Sequence, residues 1–146
     1  MSRQPFTILL ALLLACDSPT RSDISLVVAT DQSSYLVPPD ASLATLEFSV
    51  ENTGRVNLEI PRCGSHLAAF VDGRVGSRWQ VVGQYGTICP AVYDMTPLTL
   101  APGERARSSI TLAPGIYRLR VPHAVPGQPA DAHTAASNAF AISDTP

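Results

Sequence analysis

Residues 43–60 restrict the fold more than any other stretch. Ala44, Leu46, Phe48 and Val50 alternate with Thr45, Glu47, Ser49 and Glu51. That period of two is what a strand buried on one face requires, whereas a helix would scatter the four apolar side chains around its circumference. Asn52-Thr53-Gly54 follows, and Val56, Leu58 and Ile60 then alternate with Asn57 and Glu59. The pattern predicts an antiparallel hairpin over 46–60, with Gly54 free to take positive φ in a three-residue turn. Pro61 ends it because proline has no amide proton to give to the ladder.

The rest of the chain reads in the same way. Ile24–Thr30 is an apolar run suited to a first strand. Leu67–Val71 is another, stopped by the hairpin dipeptide Asp72-Gly73, with Ser77–Val82 as the return strand. Trp79 and Val81 share a face of that strand. The chain's single Trp is read as packing in the core against a disulfide rather than as a ligand platform. Leu100-Ala101-Pro102-Gly103 recurs as Leu112-Ala113-Pro114-Gly115. This is one strand plus one turn apart, with Pro-Gly suited to a type II turn. Between the two, Ala106, Ser108, Ile110 and Leu112 share a face, and Tyr117, Leu119 and Val121 then alternate with Arg118 and Arg120.

Arg105, Arg107, Arg118 and Arg120 are either a basic patch for an anionic partner or a solvated face paired with Glu47, Glu51 or Glu59; the second is the ordinary case. Residues 122–137 lose all periodicity, which marks a functional or disordered loop. Phe140 and Ile142 point inward from a last strand, and 144–146 form a frayed end. Thirteen prolines and nine glycines argue against long helices.

At the amino terminus Arg3 precedes an apolar stretch over 7–15 and then Cys16. This is the layout of an export signal. The stretch is too short for a transmembrane helix, which needs about 20 apolar residues. Leu13 at −3 suits ordinary signal cleavage poorly. Leu13-Leu14-Ala15-Cys16 resembles the lipobox of bacterial lipoproteins. The resemblance implies cleavage after Ala15, acyl chains on Cys16, a lipidated tether over 16–23 and a domain over 24–143. The chain would then be lipid-anchored in the cell envelope, with the choice of inner or outer membrane open. Two or more acyl chains make such attachment durable.

Removing residues 1–15 leaves 131 of the 146 residues, the size of one ordinary domain, with nine basic and twelve acidic side chains. Nothing in that balance supplies the clustered basic face that nucleic acid calls for. Cys63 and Cys89 remain. In an oxidising envelope they are read as one disulfide, closing a loop of about 27 residues and contributing about 3–4 kcal/mol. Metal ligation is the rival reading, since Cys63-Gly64-Ser65-His66 has a Cys-x-x-His spacing.

These features predict an all-β chain: an antiparallel Ig-like β-sandwich of seven or eight strands. Leu46–Asn52, Leu100–Gly103, Pro114–Leu119 and Ser137–Phe140 resemble the Ig-like domains of small exported bacterial lipoproteins, a likeness spanning about residues 24–142. A looser similarity is to intracellular proteinase inhibitor-type domains, which share the strand–Asn-turn–strand and Pro-Gly-Tyr patterns. The sequence shows no glycine-rich phosphate loop, Gly-x-Ser-x-Gly elbow or His-Glu-x-x-His pair. The expectation is a non-catalytic module without cofactor, engaging an envelope protein through 122–137 or a free sheet edge. Two alternatives stand beside it. One is a protease inhibitor presenting 83–87 or 122–132. The other is a periplasmic metal carrier using His66, His123, His133 and Met95.

Overall fold

A computed structural model describes residues 23–145. The signal expected at 1–15, the lipidation expected at Cys16 and most of the expected 16–23 tether lie outside the described residues. The described chain forms β1 (Leu26–Thr30), β2 (Ser34–Val37), β3 (Ala44–Asn52), β4 (Leu58–Ile60), β5 (Arg62–Cys63), β6 (His66–Leu67) and β7 (Ala69–Val75). It continues through β8 (Arg78–Tyr85), β9 (Leu98–Leu100), β10 (Arg105–Leu112), β11 (Gly115–His123), β12 (His133–Ala136) and β13 (Phe140–Asp144).

One sheet has the order β1-β3-β10, all antiparallel. The other runs β2-β13-β11-β7-β8, with β12 also paired to β11. Their inner faces bury one core. Leu46, Phe48 and Val50 enter from β3, Ile110 from β10, Leu119 and Val121 from β11, Val71 from β7, and Phe140 and Ile142 from β13. Each such side chain contributes about 1.5–3 kcal/mol relative to exposure. The all-β Ig-like sandwich expected from the sequence is the fold that forms, with nine strands in its two sheets among the described residues instead of seven or eight, and the alternating residues of β3, β10 and β13 point inward as their period demands.

Two strands of the larger sheet were not expected. β2 lies parallel to β13, opposite Ala141–Asp144. It is held by Tyr35, whose ring meets Phe140 edge-on at 5.9 Å. β12 folds back on β11, so 122–137 is not a structureless loop. Its ends are a hairpin in register from Arg120↔Ala136 to His123↔His133, and only the tip is irregular. β13 runs through Asp144, and the Thr145 hydroxyl donates to the carbonyl of Val37.

The hairpin over 46–60 does not form. β3 pairs with β1 and β10, while β4 leaves the sheet and pairs with β9, Leu58 opposite Leu100. Asn52 decides this. Its fully buried side chain donates to the carbonyls of Val56 and Leu100, each at 2.8 Å, and accepts from the Gly54 amide at 3.0 Å. Gly54 is needed for space rather than for positive φ, since a Cβ there would lie 2.4 Å from the Asp23 carbonyl oxygen.

The turn assigned to Asp72-Gly73 is likewise mid-strand, and the chain reverses at Gly76-Ser77, where Gly76 has φ +61°. Glycine at the first central position is what a type II′ turn requires. The two Leu-Ala-Pro-Gly segments also differ. Pro102-Gly103 makes a tight turn with φ +85° at Gly103 and the Glu104 amide on the Ala101 carbonyl. Gly115 instead opens β11 beneath the ring of Tyr117.

Candidate functional site

Three surfaces carry chemistry. The first is the segment 86–97 between β8 and β9. Cys89 is bonded to Cys63 of β5, the disulfide expected from the sequence. The Gly64 amide donates to the Asp94 carbonyl at 2.9 Å. Arg62 reaches the Thr96 carbonyl at 2.7 Å and the Asp94 carboxylate at 2.9 Å. The Asp94 carboxyl is held below its usual range chiefly by the Thr96 amide and hydroxyl, with Arg62 adding to them. The backbone is thus tied down from one side.

Its apolar side chains are not covered. Ile88 and Val92 are 86% and 87% exposed, and Tyr93 and Met95 lie open beside them. A groove of about 540 Å³ separates this loop from the three-stranded sheet, walled by Ile88, Tyr93, Tyr85 and Ile110. A second depression of about 340 Å³ lies where Met95 and Pro97 face Phe70 and Pro122. The loop is entered at Gly86, where φ is +62° and a Cβ would press on the backbone of His66 and Leu67.

β8 leads directly into this loop. Among the described residues it pairs with β7 alone, so its outer edge presents unpaired backbone groups, with Val75, Val81 and Val82 about half exposed around it.

The second surface is the outer face of the larger sheet. Asp72, only 3% exposed, accepts from Arg118 and Arg120. Burial by itself would raise its carboxyl, but the two guanidinium groups outweigh it and hold the carboxyl below its usual value. Arg118 lies over the Trp79 ring at 4.9 Å and Arg120 over Phe70 at 5.5 Å. Trp79 is therefore half-buried beneath Arg118 on the outer face, not packed in the core against the disulfide. The four arginines do not make one patch. Arg105 pairs with Glu51 on the smaller sheet, as the solvated-face reading expects, while Arg118 and Arg120 share Asp72 on the larger one instead of a glutamate.

The third surface is the base of the β11–β12 hairpin, where His123 and His133 stand opposite each other with ring centres 5.7 Å apart. Burial lowers the pKa of His123, a hydrogen bond to the Val121 carbonyl opposes this, and His133 lowers it further. His66 sits apart on β6 and Met95 on the stapled loop, so the four residues weighed for a metal carrier do not converge. Among the described residues no group of three or more His, Cys, Asp or Glu side chains is placed to hold a metal. Of the segments considered for protease inhibition, 83–85 belong to β8 and 122–123 to β11.

No family model and no curated protein matches the chain. Solved structures similar to it include a CARDB domain from Pyrococcus furiosus in complex with di-metal ions. It is 15% identical with a TM-score of 0.38, and covers 86% of this chain and 95% of that one. The PapD-like domain 7 of human CEP192 is 16% identical with a TM-score of 0.38 over 96% of each chain. The sporulation control protein Spo0M of Bacillus subtilis is 8% identical with a TM-score of 0.42, over 83% of this chain and 49% of its own.

What sequence reasoning missed here was the apolar content of 86–97. Ile88, Val92, Tyr93 and Met95 have no strand period and are interrupted by Pro90 and Pro97. An aperiodic apolar run next to a paired cysteine was the available signal.

Proposed function

We propose that this chain is an exported lipoprotein of the bacterial cell envelope, held to a membrane by acyl chains on Cys16. Its Ig-like domain is a non-catalytic interaction module that engages another envelope protein. One observation carries the reading: a loop pinned to β5 by a disulfide and by Arg62 turns Ile88, Val92, Tyr93 and Met95 outward. An apolar cluster kept exposed on an ordered loop marks a protein-binding site, and fixing the backbone beforehand lowers the ordering cost of binding. The adjoining free edge of β8 offers backbone donors and acceptors to an added strand.

The charged groups that the fold gathers support a binding role rather than a catalytic one. Asp72 is committed to two arginines, Asp94 to Arg62 and Glu51 to Arg105.

A photo-crosslinking residue at position 92 of the full chain in intact cells tests the interface. The expected result is one discrete adduct with an envelope protein, abolished by the double substitution Ile88→Ser and Tyr93→Ser. Adducts only with lipid, or none, overturn it. Anchoring is tested separately. Labelled fatty acid should enter the wild-type chain and not the Cys16→Ser variant.

A further inference from the structure

The histidine pair at the base of the β11–β12 hairpin is absorbed neither by the fold nor by the interaction surface. His123 is the last residue of β11 and His133 the first of β12, directly opposite in register. By the alternation of β11, His123 shares the inner face with Leu119 and Val121. It is 4% exposed, while His133 is half-buried at the rim. The two rings border an open depression of about 560 Å³ that Ser25 and Leu26 also line.

The hydrogen bonding of His123 settles which nitrogen is available. Nδ1 lies 3.3 Å from the Val121 carbonyl oxygen. A carbonyl only accepts, so the proton is on Nδ1 and Nε2 carries the lone pair. No buried side-chain nitrogen among the described residues lacks a partner, so Nε2 of His123, which has none, is not sealed in the core, and the ring lines the depression. A ring N–H given to a backbone carbonyl, with the other nitrogen bare, is the arrangement that orients a metal-binding histidine.

We propose that His123 and His133 form a two-histidine site for an imidazole-seeking divalent metal, Cu²⁺ most tightly and Zn²⁺ less so. With about 2.0 Å from metal to nitrogen and about 1.2 Å from nitrogen to ring centre, two imidazoles on a tetrahedral metal have centres about 5.2 Å apart. The observed 5.7 Å lies close to that value, and His133, at the rim, is the ring free to adjust. Water fills the remaining positions in the open depression. The order of metals follows from the preference of nitrogen sites for Cu²⁺ over its neighbours.

The site is independent of the loop at 86–97, so its failure would leave the proposed interaction intact. The test uses the full chain in detergent with the Cys63–Cys89 bond formed and Cys16→Ser, so that no thiol competes. Calorimetric titration with CuSO₄ should show one Cu²⁺ per chain, with electron paramagnetic resonance reporting nitrogen ligands. His133→Gln, a rim substitution that spares the core, should weaken binding at least about tenfold, and His66→Gln should leave it unchanged. Circular dichroism confirms that both variants remain folded. No binding near one equivalent, an unchanged titration in His133→Gln, or a loss in His66→Gln overturns the proposal.

Discussion

Arg120 grips Asp72 with both arms of its guanidinium group: Nε lies 2.8 Å from Oδ2 and Nη2 lies 2.9 Å from Oδ1. Arg118 adds a third nitrogen at 3.0 Å. Forked geometry of this kind is stronger than a single charged contact. It explains why Asp72 stays inside a strand where its neighbour Gly73 signals a turn. The carboxylate neutralises two arginines whose other faces are covered by Trp79 and Phe70, so β7, β8 and β11 are clamped together on the outer side of the sheet.

Asp72→Asn should therefore lower stability by about 2 kcal/mol. This is below the 3–5 kcal/mol of a fully buried pair, because each arginine left behind is about a third exposed and regains water. Urea unfolding followed by Trp79 fluorescence measures the shift in midpoint.

The same carboxyl sets an acid dependence. Its folded pKa lies below its unfolded value of about 3.9. The stabilisation is therefore present above about pH 4 and is lost as pH falls through the folded value. Between pH 5 and pH 2 the urea midpoint should fall more steeply for the wild type than for Asp72→Asn. Parallel curves would contradict this.

Asn52→Ala should cost about 3 kcal/mol, since it strands the buried Leu100 carbonyl, the part-buried Val56 carbonyl and the Gly54 amide at once. Asn52→Asp should be no better, because a carboxylate offers no donor to Val56 or Leu100. Thermal unfolding of both variants checks the ordering.

Two glycines should respond in opposite ways. Gly54→Ala places a methyl against backbone atoms of residues 23–25 and should cost about 2–3 kcal/mol or prevent folding. Gly76→Asn has open space and a residue type that tolerates positive φ, so its midpoint should move by less than about 1 kcal/mol.

Reducing the Cys63–Cys89 bond, or replacing both residues by Ser, should lower stability by about 3 kcal/mol, as expected for cysteines 26 positions apart. Residues 86–97 should then become the first site of proteolytic cleavage, mapped by mass spectrometry. The rest of the sandwich keeps its core.

How the chain divides between local and distant information is visible in single residues. Leu46, Phe48 and Val50 face inward because a strand's side chains alternate whatever it pairs with, so the sequence alone determined these positions, the all-β class and the reversal at Pro102-Gly103. Two cysteines in one domain made the bridge legible too. Pairing was not legible. β4 joins β9 instead of β3 because a buried Asn52 bridges segments 48 positions apart. Asp72 remains extended because arginines 46 and 48 positions away supply its counter-charge. His123 meets His133 only because β12 folds back onto β11. Periodicity and turn chemistry act between neighbours along the chain, while the satisfaction of a buried polar group depends on whichever distant strand packs against it, and only the tertiary structure decides that.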